Sequence, residues 1–164
     1  MKRSQNNTHR KQRFPRFARE GNQEDWKSAM CTRILIADDH PAVRRTLAQL
    51  LGNEPDLEVI GEAKDGIEAV RLTIKYRPDV VIMDVVMPEL NGIEATRQIV
   101  QQCPRTRVVG LSVHESRIYA RQMLDAGAAA YILKDGETAA LLAAIRSVFG
   151  DANRLGPSAT NAVA

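Results

Sequence analysis

With only two cysteines and three histidines in 164 residues, the chain has little from which to build a thiolate or imidazole metal centre. Cys31 and Cys103 form no CxxC pair, which sets aside a disulfide-built scaffold and a zinc ribbon. His9, His40 and His114 are scattered, and no His/Cys cluster for zinc can be assembled locally. No run approaches the eighteen or so apolar residues of a membrane span. The N-terminus is basic but lacks the apolar core of a secretory signal. The expectation is one cytoplasmic domain with appendages and no membrane contact.

The net charge of +3 is unevenly placed. Residues 1–30 carry eight basic side chains against Glu20, Glu24 and Asp25, a net of +5. The remaining fifteen basic and seventeen acidic residues give −2. The domain itself therefore offers no electrostatic footprint for nucleic acid. Residues 1–30 have no apolar periodicity and are rich in Asn, Gln, Arg and Lys, so they are expected to be a disordered basic extension. They are either inert or a misplaced start, with Met30 as the true one directly before the first strand. The folded domain is expected over 31–150, with a flexible tail over 151–164.

From Thr32 onward, short β-branched runs alternate with helical patterns. Strands are expected over 32–38, 57–63, 79–84, 107–111 and 129–133. Helices are expected over 41–51, after Asp65-Gly66, after Asn91-Gly92, over 116–126 and over 137–149. Asp65 with Glu68, and Asn91 with Glu94, read as helix-start boxes. Pro41 suits a first helical position, Gly52 reads as a helix stop, and Gly92 and Gly127 read as backbone devices. Five strands alternating with five helices imply a parallel sheet covered on both faces.

Three acids stand at strand ends: the pair Asp38-Asp39 after Ile34-Leu35-Ile36-Ala37, and Asp84 after Val80-Val81-Ile82-Met83. Ligands of open α/β sheets bind outside the carboxyl ends of the strands. Carboxylates gathered there repel one another, so a positive partner is expected, and a small hard cation suits oxygen ligands. The crowding should also cost stability, so replacing Asp38 with Asn is expected to stabilise the metal-free protein.

The segments Ile36-Ala37-Asp38-Asp39-His40, Val81-Ile82-Met83-Asp84-Val85-Val86-Met87-Pro88, Leu90-Asn91-Gly92, Val109-Gly110-Leu111-Ser112 and Ala130-Tyr131-Ile132-Leu133-Lys134-Asp135 occur in order. Together they resemble the receiver domain of bacterial two-component response regulators over about residues 32–149. Asp-His-Pro after the first strand and Asp135 after the lysine look like the NarL/FixJ-like subgroup, which usually carries a C-terminal LuxR-type helix-turn-helix. No such segment follows here, so the chain reads as either a stand-alone receiver or a truncated DNA-binding regulator.

The resemblance implies a flavodoxin-like (βα)5 sandwich with strand order 2-1-3-4-5. It makes Asp84 the phosphoacceptor, with Lys134 and Ser112 beside the phosphoryl group and Tyr131 as the aromatic switch. It also implies Mg²⁺, held by Asp39, Asp84 and the Val86 main-chain carbonyl, with Asp38 holding a metal-bound water. The implied partners are a sensor histidine kinase or phosphotransfer protein and, after phosphorylation, a second copy of the chain, with no DNA contact by this chain itself. Its chemistry would be confined to its own phosphorylation and dephosphorylation, so no separate enzymatic activity is expected. Val86 and His114 occupy positions that vary in the family and tune phosphoryl loss. A haloacid-dehalogenase-type phosphatase would need a second, acid–base aspartate that has no counterpart here. A flavin binder would need a phosphate loop rich in Ser, Thr and Gly instead of this acidic one.

Overall fold

The computed structural model describes residues 31–113 and 116–154. Its elements run β1 (Thr32–Ala37), α1 (Pro41–Gly52), β2 (Leu57–Ala63), α2 (Gly66–Tyr76), β3 (Val80–Asp84), α3 (Gly92–Gln102), β4 (Arg107–Ser112), α4 (Arg117–Asp125), β5 (Ala130–Leu133) and α5 (Thr138–Arg154). The strands form one parallel sheet in the order β2-β1-β3-β4-β5, as the resemblance implied. The expectations for residues 1–30, His114 and residues 155–164 lie outside the described residues.

Strand alternation explains how both faces of the sheet are filled. Ile34, Ile36, Val80, Ile82 and Val109 pack with Leu47 and Leu51 of α1 and Leu141, Ile145 and Val148 of α5. Leu35, Ala37, Val81, Met83 and Val108 pack with α2, α3 and Met123 of α4 on the other face. The chain leaves β1 toward β2 on one side, and β3 then returns to β1's other side. That reversal opens a crevice at the carboxyl ends of β1 and β3.

Both helix-start boxes form: the Asp65 side chain accepts from Glu68 N at 2.8 Å, and Asn91 Oδ1 accepts from Glu94 N at 2.9 Å. Two boundary expectations fail. Gly52 is the last residue of α1, and Asn53 caps it in an ordinary right-handed conformation, so no left-handed glycine stops the helix. Helix α5 runs to Arg154, past the expected 149, so the first residues assigned to the tail are helical. Arg77, rather than a glycine, takes the left-handed cap of α2 at φ 50°. Gly127 does adopt a left-handed φ, 103°, after α4.

One polar clamp ties α5 to the loop before β2. Arg146 Nε and Nη2 donate to Asp56 Oδ2 and Oδ1 at 2.8 Å each, and Nη2 donates to Glu54 Oε2 at 2.7 Å. The hydrogen bond from Arg146 holds the Asp56 carboxyl below its ordinary 3.8. A depressed carboxyl contributes stability above its unfolded value and loses it as pH falls through the lower folded one. Arg146→Met is therefore expected to lower the melting temperature modestly at neutral pH, the groups being solvent-exposed. The variant should also lose less stability than wild type as pH drops below about 4. Parallel pH–stability curves for the two proteins would exclude the clamp as the cause.

Among the described residues, no helix is long and apolar enough to cross a membrane.

Candidate functional site

The crevice collects the strand-end residues. Asp38 follows β1 directly, and its backbone N–H continues the sheet ladder to Ala63 O at 3.1 Å. Asp84 ends β3 and Ser112 ends β4. Lys134 is set by the same register, its N–H donating to Ser112 O at 2.7 Å. A pocket of about 330 Å³ is lined by Asp39, His40, Val43, Asp84, Val86, Ser112, Val113 and Lys134. A larger cavity of about 420 Å³ between α1 and α5 shares Val43, Val113 and Lys134 with it but contains none of the three aspartates.

Lys134 places a positive group among the carboxylates. Its Nζ lies 2.6 Å from Asp38 Oδ2 and 3.1 Å from Asp84 Oδ1. Asp38 is only 1% exposed and Lys134 11%, so water screens this network poorly. Asp38 Oδ1 also accepts from His40 N at 2.8 Å, and Arg44 Nη1 donates to the Asp38 carbonyl at 2.6 Å.

Burial pushes the Asp84 carboxyl above its ordinary 3.8; the neighbouring Asp38 and Asp39 charges add to that, and Lys134 opposes it. For Asp38→Asn the contacts argue against a gain in stability. Asp38 carries a short ion pair and a backbone hydrogen bond, so an asparagine there would deprive Lys134 of an anion. Asp84 is the carboxylate whose charged form burial and its acidic neighbours disfavour.

Asp39 is differently placed. Its Oδ1 is buried without an aligned hydrogen bond, although His40 Nδ1 lies 2.8 Å away. An orphaned carboxylate oxygen beside two further carboxylates fits a hard divalent cation. One ligand atom each from Asp38, Asp39, His40 and Asp84 lie within 4.8 Å of one another. His40 is not among the residues the sequence singles out, and the structure sets its ring beside the carboxylates. Spacing left it isolated, and the signal available was its position directly after Asp39 at a strand end.

Of the remaining expectations, Val86 is half-exposed and Ser112 is 1% exposed, and both line the pocket. Tyr131 is half-buried in β5, pairs in register with Gly110 and packs against the α2–α4 core.

A doubly wound parallel α/β domain with a lysine-bridged carboxylate pocket at its switch point is the class these observations define. The chain belongs to the response regulator receiver domain family, whose model matches residues 34–146. It is similar to the transcriptional regulatory protein DegU of Brevibacillus brevis, at 39% identity over 129 residues, 79% of this chain and 55% of DegU. It is also similar to the transcriptional regulatory protein LiaR of Bacillus subtilis strain 168, at 43% identity over 117 residues, 70% of this chain and 54% of LiaR. The chain thus spans about half the length of the curated relatives it matches. Among solved structures, it is similar to a LuxR-family two-component response regulator from Aurantimonas sp. SI85-9A1. That match has 36% identity and a TM-score of 0.71, covering 74% of this chain and 86% of the other. The response regulator domain of Thermotoga maritima CheB matches at 35% identity and a TM-score of 0.68, covering 73% of this chain and 97% of the other.

Proposed function

We propose that this receiver domain is a phosphoryl-accepting switch in which Asp84 takes a phosphoryl group from a sensor histidine kinase or phosphotransfer protein. The observation that carries the reading is the Lys134 ammonium bridging the buried Asp38 and Asp84 beside the pocket. An Asp84 oxygen attacks phosphorus, the donor's P–N bond breaks, and the imidazole leaves with a proton. Lys134 lowers the charge that meets the incoming phosphoryl group, then pairs with its oxygens. The hydroxyl of Ser112, a residue lining the pocket, hydrogen-bonds the phosphoryl group once formed. Tyr131 follows that movement inward and shifts the population on the face of α4, β5 and α5.

Asp39, Asp84 and the Val86 main-chain carbonyl would hold Mg²⁺ directly, and Asp38 would hold one of its waters. The ion would supply positive charge to offset the carboxylates and the phosphoryl oxygens. The switch signals by contact, including pairing of phosphorylated copies, works in the cytoplasm, and turns over no separate substrate.

The test is incubation of the full chain with acetyl phosphate and Mg²⁺, read by intact mass. One acid-labile phosphoryl group is expected, and none in EDTA. Asp39→Ala should raise the Mg²⁺ needed for half-maximal labelling by at least about tenfold. Labelling at the wild-type rate in EDTA would remove the metal from the reading.

A further inference from the structure

His40 stands where a helix cap is wanted and does not supply one. It is the N-cap of α1, ahead of Pro41, in extended conformation (φ −91°, ψ 111°), and its side chain makes no capping hydrogen bond. The imidazole lies instead among the carboxylates, with Nδ1 2.8 Å from Asp39 Oδ1 and 3.5 Å from Asp38 Oδ1. The Asp39 oxygen it faces is the one left without an aligned hydrogen bond. The ring is 68% exposed, so it can adjust toward the pocket without disturbing the core. Neighbouring ligands of a metal with bonds of about 2.1 Å lie about 3 Å apart, close to the spacing already present between His40 Nδ1 and Asp39 Oδ1.

We infer that His40 Nδ1 is a direct ligand for late first-row dications, making the acidic pocket a mixed nitrogen–oxygen site. The inference rests on reading the pocket as a divalent-cation site and adds a ligand to it. Magnesium prefers oxygen and gains little from an imidazole, whereas Ni²⁺ and Zn²⁺ bind imidazole strongly. The pocket should therefore favour such an ion over Mg²⁺ by more than its carboxylates alone provide. A transition ion, once bound, would compete with Mg²⁺ for Asp39 and Asp84.

The experiment is calorimetric titration of the full chain with NiCl₂ and, separately, MgCl₂, in wild type, His40→Ala, Asp39→Ala, His9→Ala and His114→Ala. His40→Ala should weaken Ni²⁺ by at least about tenfold and leave Mg²⁺ within about twofold. Asp39→Ala should weaken both ions. Unchanged Ni²⁺ affinity in His40→Ala would overturn the inference. An equal loss of both ions there would do so too, by showing that His40 merely positions Asp39. Loss of Ni²⁺ affinity in His9→Ala or His114→Ala in place of His40→Ala would assign the wrong imidazole. If Asp39→Ala leaves both affinities unchanged, the cation pocket itself fails, an outcome separate from failure of the His40 assignment.

Discussion

Asp84→Asn should reduce phosphoryl uptake to background while raising the melting temperature of the metal-free protein at neutral pH. The first effect follows because an amide oxygen is a poor nucleophile and gives no stable acyl phosphate. The second follows from the environment of the side chain. Burial, then the charges of Asp38 and Asp39, hold the Asp84 carboxyl above 3.8 despite Lys134. A carboxyl raised on folding favours the native state below its unfolded value and works against it as pH climbs through the folded one. Asparagine keeps the shape without the charge. The gain in melting temperature should therefore be present at pH 7 in EDTA and disappear as pH approaches about 4. Added Mg²⁺ should stabilise wild type by mass action and the variant less, because the variant lacks one ligand. A variant that still labels at the wild-type rate would sink the phosphoacceptor assignment. One that melts below wild type at pH 7 and at pH 4 alike would show that Asp84 stabilises the fold.

The strands and both helix-start boxes were legible because their signals are local. Ile34–Ala37 and Val80–Met83 are continuous apolar runs, and each box needs only a side chain three residues before the backbone N–H it caps. Helix ends were less legible. Gly52 looked like a stop, but a glycine ends a helix only when it turns left-handed, and the next residue, Asn53, stays right-handed. Arg77 does turn left-handed, at φ 50°, with its guanidinium donating to Gln102 O at 3.1 Å and so gaining a contact that no neighbouring residue type announces. The same division runs through the site. Asp38, Asp39 and Asp84 could be placed by strand ends, whereas the preference of Lys134 for Asp38 depends on the β4–β5 register carried by the Lys134 N to Ser112 O bond. A lone histidine such as His40 carries no spacing signal, and only the pairing of β3 beside β1 brings its ring near Asp84.

Gly92→Ala should be among the most destabilising single-methyl changes in the domain, at about 3 kcal/mol, the upper part of the range for overpacking. A Cβ built at Gly92 would stand 1.9 Å from the Asp84 carbonyl oxygen and 2.9 Å from its carbon. The neighbour is backbone, so no side-chain rotation can relieve the contact. Gly92 N also donates to Val85 O at 2.9 Å, which presses the start of α3 against the segment that carries Asp84. Relief must come from moving α3 or the Asp84–Val85 peptide, and the second route displaces Asp84, the proposed phosphoacceptor. Denaturant unfolding should show the stability loss, and labelling by acetyl phosphate should slow even where the variant is fully folded. Gly52→Ala is the control: a Cβ there meets nothing within 4 Å, and the residue is helical. That variant should gain up to about 1 kcal/mol from the lower entropy of its unfolded chain. If Gly92→Ala unfolds within about 0.5 kcal/mol of wild type and labels at the wild-type rate, α3 does not approach Asp84 as closely as the structure has it. The glycine would then be serving the turn alone.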